Sequence, residues 1–364
     1  MNDALVLQGV RILMLPRYAS DGPSSRLRML QFIPSLEAAG AVVVVEPFFN
    51  AAYLKRYFST GKKNITDAAR AAWRRTNILK QIKGHYDLVW VEKELYPFLP
   101  EVFEEILIKT GVPYIVDYDD ATFHTYDLSK NEIVRRMMSH KLEKLIAGAQ
   151  AIIVGNAYLE SYVRQFSSGL IAKVPTVVDL DRYPVRPFPR QKSLQLGWIG
   201  TPNNATYLRP VVDALKSLRK DIAVELVTVG AQGPLLIDRQ VMRPWRLEQE
   251  GEDVASFDVG IMPIPDEPWE RGKCGYKLIQ YMAGGRPVIA SPVGINCEIV
   301  TSEVGFLARC NQEWAEAIGV FADQSELKME MGKAARQRVE ARYSLKVAAP
   351  RIINILQQAI GTRV

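Results

Sequence analysis

Cysteine is scarce in this sequence. Cys274, Cys297 and Cys310 are the three cysteines among 364 residues, and their odd number and lack of a recognisable spacing indicate a reducing compartment rather than a disulfide framework. No apolar run reaches the roughly 20 residues that span a bilayer. The N-terminus lacks the basic start and the small-residue cleavage site of a secretion signal. We therefore expect a cytoplasmic protein without a membrane-spanning helix.

Low-complexity tracts are also missing. The composition is that of an ordinary soluble protein, with 48% hydrophobic and 24% charged residues. A chain of 364 residues is long for one hydrophobic core, because single cores stop growing at about 250–300 residues. We therefore expect two domains.

Acidic residues are rare in one segment. Between Tyr53 and Lys83 there are nine Lys and Arg residues against one acid, Asp67, and aromatic residues are interleaved with them. A basic, aromatic segment of this kind suits peripheral contact with the anionic inner face of a cell membrane. The alternative is a solvated helix face with a few core aromatics. No nucleic-acid-binding motif accompanies the charge, so we expect no nucleic-acid partner.

Short apolar runs alternate with amphipathic stretches along the chain. The runs predict strands over 10–15, 41–47, 87–92, 112–120, 149–156, 194–200, 222–230, 239–242, 257–264, 286–291 and 305–309. The amphipathic stretches predict helices over 25–39, 97–110, 129–147, 204–219, 276–283, 311–322, 325–341 and 345–361. Few strands alternate apolar and polar residues, which is typical of βαβ units with parallel sheets. The predicted fold class is α/β.

The alternation stops in LDRYPVRPFPRQKS (180–193), whose three prolines exclude a regular helix and indicate an interdomain linker. We expect an N-terminal domain over 1–182 and a C-terminal domain over 183–343, with a cleft between them. The helix in 344–364 is expected to pack back toward the N-terminal domain. Ligands of open parallel sheets bind outside the carboxyl ends of the strands, so the loops after the strands are the candidate sites.

Two such loops lie in the first half. Gly22 and Arg26 belong to a strand–helix loop, Asp21 to Arg26, that suits an anion or a salt bridge; it lacks the GxGxxG fingerprint of dinucleotide binding. Another predicted strand ends in the acids Asp117, Asp119 and Asp120, with His124 close behind. These carboxylates suit a general base, a metal site or the capping of a turn. We favour a functional site without a metal.

Three loops lie in the second half. Gly200, Thr201 and Asn203 follow its first strand, where an asparagine is expected to cap the next helix. Trp245 follows a short strand and suits the wall of a flat ring, or core packing. The turn before the helix over 276–283 combines cations with glycines and suits a diphosphate; its candidate residues are Gly272, Lys273, Cys274, Gly275, Tyr276, Lys277 and Gln280.

These motifs together resemble the retaining glycosyltransferases of family 4, whose GT-B architecture has two facing Rossmann-like domains and an interdomain cleft. The resemblance is strongest in FDVGIMPIPDEPWERGKCGYKLIQYMAGGRPVIASPVGINCEIV. The stretches RILMLPRYASDGPSSRLR, VPYIVDYDDA and LGWIGTPNNATYL are similar to a bacterial branch that synthesises polysaccharides. The similarity covers nearly the whole chain.

The resemblance implies a nucleotide-diphosphate sugar in the C-terminal domain and a glycan or lipid-linked acceptor in the N-terminal domain. Gln280 stands where the family usually has a glutamate on the ribose hydroxyls. The first glutamate of the family's Glu-x7-Glu motif falls at Gly272, and a usual Arg/Lys pair is missing from the loop after the first C-terminal strand. Lys273 or Lys277 is expected to supply the missing positive charge.

The implied reaction is a transfer with retention of configuration, without metal or cofactor. Asp119, Asp120 and His124 are the candidates for orienting or deprotonating the acceptor hydroxyl. Two alternatives stay open from the sequence: a sugar-nucleotide epimerase of the same architecture, and a non-catalytic subunit that binds a sugar nucleotide. The missing glutamate at position 272 keeps the second alternative open.

Overall fold

The structure, a computed structural model, describes residues 6–60, 64–189, 192–233, 235 and 239–361, with side chains omitted at 57–60. The chain divides into two compact units. The first unit contains Met1–Thr176 and Ala348–Val364, and the second contains Val177–Val347. Over the described residues, each unit contains one six-stranded sheet.

The sheet of the first unit is parallel throughout, with the order β2-β1-β3-β4-β5-β6. Its central strands are buried on both faces, which explains their continuous rather than alternating apolar pattern. The strands are β1 (Arg11–Leu15), β2 (Val42–Val45), β3 (Leu88–Glu92), β4 (Tyr114–Tyr118), β5 (Ala151–Val154) and β6 (Leu170–Lys173).

Helices connect these strands. They are α1 (Pro23–Arg28), α2 (Ile33–Ala38), α3 (Ala51–Thr60), α4 (Ile65–Leu79), α5 (Glu105–Ile108), α6 (His124–Asp127), α7 (Glu132–Met138), α8 (Glu143–Ala147) and α9 (Ala157–Val163). The predicted helix over 25–39 is two helices joined by the 3-10 turn Leu30–Phe32. Pro34 explains the break, because proline has no N–H for the preceding turn and its ring clashes with that turn.

Two further helix predictions were too long. The region 97–110 contains the 3-10 turn Glu101–Phe103 and α5, and the backbone of Phe98 near its start is left-handed, with φ of 66°. The region 129–147 contains α7 and α8, separated where the buried Lys141 side chain turns inward to bind Glu94 and Glu104. Helices α3, α4, α6 and α9 and strand β6 were not among the predicted elements.

The sheet of the second unit is also parallel, in the order β12-β11-β10-β7-β8-β9. Strand β7 lies near the middle and every residue in it is buried. The strands are β7 (Leu194–Ile199), β8 (Val224–Val229), β9 (Gln240–Arg243), β10 (Val259–Met262), β11 (Val288–Ala290) and β12 (Gly305–Leu307).

The helices that complete this unit are α10 (Arg209–Lys216), α11 (Glu250–Ala255), α12 (Pro268–Arg271), α13 (Tyr276–Ala283), α14 (Asn296–Ile299), α15 (Asn311–Asp323) and α16 (Ser325–Arg342). The last helix, α17 (Leu345–Gly361), begins in the second unit and belongs to the first unit from Ala348 onward. The predicted helix over 204–219 is a 3-10 segment, Pro202–Leu208, followed by α10. No helix of the described residues is both long and apolar enough to cross a bilayer.

The proline-rich segment interpreted as a linker contributes to the second unit. Tyr183 is 1% exposed and belongs to the apolar core around α13. The carbonyl oxygen of Tyr183 accepts a hydrogen bond from Arg336 on α16. Part of this segment is therefore structural, and it carries a side chain into the candidate site.

Candidate functional site

The carboxyl ends of β7, β8 and β9 meet at one edge of the second sheet. Gly230 follows β8, and a Cβ atom placed on it would lie 2.4 Å from the carbonyl oxygen of Gly200, which follows β7. The same Cβ would lie 3.3 Å from Cβ of Trp245, which follows β9. Trp245 is 36% exposed. Three strand-end loops therefore adjoin beside an accessible aromatic ring.

Lys277 brings a cation to this edge from helix α13. Its Nζ lies 4.6 Å from the centre of the buried Trp198 ring. A Cβ on Gly200 would lie 2.9 Å from this Nζ and 2.4 Å from the Trp198 ring. The absence of a side chain at position 200 therefore makes room for the amino group beside the loop after β7.

No acidic side chain among the described residues lies within ion-pair distance of Lys277. Burial, and then the positive charge of Lys273, lower the pKa of Lys277 to about 7. A half-buried amine without a protein counter-ion is poised to bind an anion, because a bound negative charge would favour its protonated form.

The turn before α13 is built from the residues that the sequence indicated. Gly272 ends α12, and Lys273 Nζ lies 5.9 Å from the Trp269 ring. Cys274 is buried. Gly275 has a φ of 65°, and a Cβ there would lie 2.4 Å from Ile299 Cδ1. Only glycine fits this left-handed position that starts α13.

A buried carboxylate, Glu270, lies just before this turn. It is 6% exposed and accepts a 2.5 Å hydrogen bond from the Tyr207 hydroxyl. Burial, and then this carboxylate, raise the pKa of Tyr207 above its ordinary value. Glu270 is thus fixed two residues from the position where the family pattern has its first glutamate.

Gln280 is 3% exposed and belongs to a second polar group in this unit. Its Nε2 donates to the Tyr183 hydroxyl at 2.9 Å, and the Tyr183 hydroxyl donates to Glu250 Oε1 at 2.5 Å. Trp245 Nε1 donates to Glu250 Oε2 at 2.9 Å. The Tyr276 hydroxyl lies 3.3 Å from the Tyr183 hydroxyl. Tyr276 and Gln280 therefore share a helix face, as their spacing predicted.

Thr201 and Asn203 lie on the exposed side of the loop after β7. The expected asparagine cap is wrong: the 3-10 segment starts at Pro202, and Asn203 and Asn204 lie inside it. The carbonyl oxygen of Asn203 instead accepts a 3.3 Å hydrogen bond from the Thr206 hydroxyl. The proline explains the earlier start, because it favours the first position of a helix.

A cluster of charged side chains lies at the carboxyl edge of the first sheet. Lys93 Nζ lies 2.8 Å from Asp119 Oδ1 and 3.1 Å from Asp120 Oδ2. The Ser24 hydroxyl lies 2.7 Å from Glu92 Oε1 and 2.8 Å from Asp119 Oδ2. A hydroxyl has one proton, so Ser24 donates to one of these carboxylates at a time.

The electrostatics of this cluster favour charged groups. Burial opposes ionisation of Asp119, but the positive charges of Lys93 and Arg28 outweigh it and lower the pKa of Asp119. Burial likewise opposes the charge on Lys93, but Asp119 and Asp120 raise its pKa. Lys93 has a left-handed backbone with φ of 62°, a conformation that costs a non-glycine residue about 1–3 kcal/mol and that clusters at functional sites.

Asp117 lies deeper than the two other carboxylates. It is 1% exposed, and its Oδ1 accepts a 2.8 Å hydrogen bond from Arg28 Nε. Burial raises the pKa of Asp117 to about 7, against the opposing charge of Arg28. The Arg28 Nη1 also donates to the carbonyl oxygen of Val174 at 2.9 Å. Asp117 therefore ties β4 to α1 and to the end of β6.

His124 begins α6 and has partners on both ring nitrogens. Its Nδ1 lies 2.9 Å from Asp127 Oδ1 and its Nε2 lies 2.8 Å from the Tyr158 hydroxyl. The neighbouring Phe123 stacks on Tyr162 with ring centres 3.6 Å apart. The ring orientation of His124 is therefore fixed within the first unit.

Gly22 and Arg26 lie in the first unit, at the N-terminal end of α1. A Cβ on Gly22 would lie 2.3 Å from Cβ of Tyr18, so the position requires glycine for close packing. Arg26 Nη1 donates to the carbonyl oxygen of Ser20 at 3.0 Å. This contact holds the loop that precedes the helix.

Comparison with known proteins addresses the second unit first. Residues 193–323 match a family model. Its description is Glycosyl transferases group 1. The match contains β7 to β12 and the turn before α13, and therefore most of the groups at the second sheet edge. Comparison with curated protein sequences returns no match.

Solved structures resemble the whole chain. Sucrose-phosphate synthase from Thermosynechococcus elongatus is 18% identical, with a TM-score of 0.72 over 97% of this chain and 99% of that one. HepE from Anabaena, in complex with UDP and glucose, is 16% identical, with a TM-score of 0.68 over 95% and 99%. A glycosyltransferase from Rickettsia africae is 14% identical, with a TM-score of 0.66 over 98% and 100%. These likenesses confirm the predicted GT-B fold class with two Rossmann-like domains.

Several residues of the two sheet edges were not among the sequence candidates. They are Glu92, Lys93, Tyr183, Tyr207 and Glu250. Glu92 and Lys93 had a usable signal, because they lie at the carboxyl end of a buried strand, as Asp117 to Asp120 do. Tyr183 and Glu250 had none, since they reach Gln280 from distant segments.

The lowered pKa of Lys277 predicts that its amine reacts with acylating reagents near neutral pH. Acetic anhydride modifies only neutral amines, so the pH dependence of labelling at Lys277, followed by peptide mass spectrometry, should have its midpoint near pH 7. The variant Lys273→Met removes a neighbouring positive charge and should move this midpoint upward. A midpoint near the ordinary lysine value of about 10.4 in the unmodified protein would contradict the described environment.

Proposed function

We propose that this protein is a retaining glycosyltransferase. It moves a sugar from a nucleoside-diphosphate sugar, bound by the second unit, to a hydroxyl of a glycan or lipid-linked acceptor, bound by the first. The match to Glycosyl transferases group 1 supports this proposal, as does the GT-B fold. Anabaena HepE has been crystallised with UDP-glucose. The sequence resemblance favours a role in bacterial surface-polysaccharide synthesis.

The observation that carries the proposal is the position of Lys277. Departure of a nucleoside diphosphate leaves a negatively charged leaving group, which fixed cations and backbone N–H groups stabilise. The Lys277 amino group lies against Gly200 without a protein counter-ion among the described residues. It can thus supply the charge of the missing Arg/Lys pair from a different element. Lys273 adds a second cation in the same turn.

Asp119 and Asp120 are the proposed groups that orient or deprotonate the acceptor hydroxyl. Asp120 is the more accessible, with 30% of its side chain exposed against 12% for Asp119. Lys93 holds both carboxylates from one side and keeps Asp119 ionised. His124 keeps its proposed role through Nε2, which could exchange the Tyr158 hydroxyl for an acceptor hydroxyl.

We propose that catalysis needs no metal ion. The Lys93 ammonium already lies between Asp119 and Asp120, the two carboxylates that a divalent cation would bridge. Lys277 and the turn before α13 are placed to stabilise the leaving group. Protein cations therefore occupy both places at which a metal would supply charge.

We also propose peripheral contact with anionic membrane through 53–83, on the inner face of the cell membrane. Trp73 on α4 is 71% exposed, and the Arg70 side chain beside it is 83% exposed. Tryptophan and cations on one helix face suit a lipid headgroup region. Arg74 and Arg75 instead bind backbone carbonyl oxygens within the first unit. Lys62 and Lys63 lie outside the described residues.

Replacing Lys277 tests the leaving-group role. Lys277→Met should lower kcat/KM for the donor sugar by at least about a hundredfold, the usual cost of losing one group that stabilises developing charge. Donor turnover is measured as nucleoside-diphosphate release from a panel of UDP-, GDP-, ADP- and dTDP-sugars. Lys216→Met on α10 is the matched control and should be neutral, because the Lys216 side chain is 59% exposed.

The product of the same assay separates the alternatives. Slow donor hydrolysis and acceptor-stimulated release are expected of a transferase. Formation of an epimeric sugar nucleotide would instead identify an epimerase, and the absence of any turnover would identify a binding subunit. Unchanged kinetics in Lys277→Met and in the double variant with Lys273→Ala would contradict the role given to these lysines.

Chelation tests the metal-free proposal. Turnover in millimolar EDTA should equal turnover without it, because lysine charges do not depend on a bound ion. Complete loss that added Mg²⁺ or Mn²⁺ restores would contradict the proposal and would favour a metal at Asp119 and Asp120.

Vesicle sedimentation tests the membrane contact. Lys80 is exposed at the C-terminal end of α4. Binding to vesicles with anionic lipid should fall at least about tenfold in the triple variant Trp73→Ala, Arg70→Ala and Lys80→Ala, because each basic residue near the surface contributes about 1 kcal/mol. Met329→Ala removes an exposed apolar side chain of the second unit and is the control. An unmodified protein that fails to sediment with anionic vesicles at any salt concentration would overturn the proposal.

A further inference from the structure

Contacts among the residues of the second sheet edge close into a ring. Lys277 lies against Gly200, Gly200 against Gly230, and Gly230 against Trp245. From Trp245 the ring returns through hydrogen bonds to Glu250, Tyr183 and Gln280. Gln280 lies one helical turn after Lys277 on α13, so this helix closes the ring.

The hydrogen bonds in this ring have a fixed direction. An ionised carboxylate only accepts hydrogen bonds, so the Tyr183 hydroxyl must give its single proton to Glu250. Burial, with Tyr276 and Glu250 nearby, raises the pKa of Tyr183 above its ordinary value and keeps that proton in place. The Tyr183 oxygen can then only accept from its other neighbours, Gln280 and Tyr276.

Because the Tyr183 oxygen can only accept from Gln280, the orientation of the Gln280 carboxamide is determined. Its NH₂ group faces Tyr183, at 2.9 Å. Its oxygen, Oε1, is left to accept from another group, and none of the described residues donates a hydrogen bond to it. A glutamate at position 280 would instead place a carboxylate against an oxygen whose proton Glu250 already uses.

We propose that Glu250, acting through Tyr183, is a positioning residue that turns the Gln280 oxygen toward a hydroxyl group of the bound nucleotide. This inference rests on the proposed function, which places the diphosphate at Lys277. In a nucleoside diphosphate, the ribose is bonded directly to the diphosphate and carries hydroxyl donors. Gln280, one turn from Lys277, is placed to accept from it.

Trp245 extends the same inference to the base. Its ring is accessible, and Glu250 fixes the indole through Nε1. Lys277, Gln280 and Trp245 thus follow one another around the ring in the order diphosphate, ribose and base. Glu250 thus acts on the ribose site only through Tyr183, by way of the two hydrogen bonds that orient the Gln280 amide.

Exchange of the two side chains tests this relay. In Glu250→Gln the Tyr183 proton is released to Gln280 Oε1, so the amide turns its NH₂ toward the ribose and an acceptor is lost. In Gln280→Glu the carboxylates at positions 250 and 280 compete for the single hydroxyl proton of Tyr183. Each single variant should bind nucleoside diphosphate about tenfold more weakly, which corresponds to about 1.4 kcal/mol and is near one hydrogen bond.

The double variant Glu250→Gln/Gln280→Glu reverses the relay. The amide introduced at position 250 then accepts from Trp245 and donates to Tyr183, and the Tyr183 hydroxyl donates to the carboxylate introduced at position 280. The affinity of the double variant should return to within about threefold of the unmodified protein, a difference smaller than one hydrogen bond. Tyr183→Phe removes the hydroxyl that both the original and the reversed relay need. It should weaken nucleotide binding by itself and when combined with Glu250→Gln/Gln280→Glu.

The measurement is isothermal titration with UDP, GDP, ADP and dTDP, and with inorganic pyrophosphate as the ligand that lacks ribose and base. Pyrophosphate affinity should be unchanged or tighter in Glu250→Gln, because a negative charge is removed. Thermal unfolding of each variant is recorded in parallel.

Each result has a separate meaning. If the unmodified protein binds none of the four nucleotides, the proposed function fails and this inference falls with it. If the protein binds a nucleotide but both single variants bind it equally well, the relay is wrong and the function stands. If the single variants lose pyrophosphate as well and the exchange restores nothing, Glu250 is only structural and the inference is overturned.

Discussion

The parallel pairing of β7, β8 and β9 brings the strand-end groups of the candidate donor site to one edge of the second sheet. Parallel strands end at a common edge, so residues far apart in the sequence arrive together. Gly200, Gly230 and Trp245 meet there because they follow three neighbouring strands. The Lys277 amine reaches the same edge because α13 starts in a left-handed turn at Gly275.

Much of the fold follows from periodicity. Short, mostly apolar runs predicted eleven strands that are present, because buried parallel strands such as β3 and β7 have no solvent face to alternate with. Helix lengths were less accurate where a proline begins a new helical segment, as at Pro34 and Pro202, and where the Lys141 side chain turns inward between α7 and α8. Strand β6, a half-buried strand at the edge of the first sheet, was missed.

The candidate site was predictable only in part. Glycines and lysines at 272–277 gave a local signal, because a glycine-bearing turn before a helix suits an anion. The partners of Gln280 gave no local signal. Tyr183 is 97 residues away from Gln280, and Glu250 is linked to Gln280 only through Tyr183. The sequence could show that an expected glutamate is a glutamine, but only the packing of three segments shows which carboxylate lies nearby.

We propose that a nucleoside diphosphate binds at this edge of the second unit with its diphosphate on Lys277. The most direct measurement is a crystal structure of the protein with whichever of UDP, GDP, ADP and dTDP raises its melting temperature most. We expect diphosphate oxygens within hydrogen-bond distance of Lys277 Nζ and a base against Trp245. A nucleotide bound without contact to Lys277, or elsewhere on the chain, would contradict it.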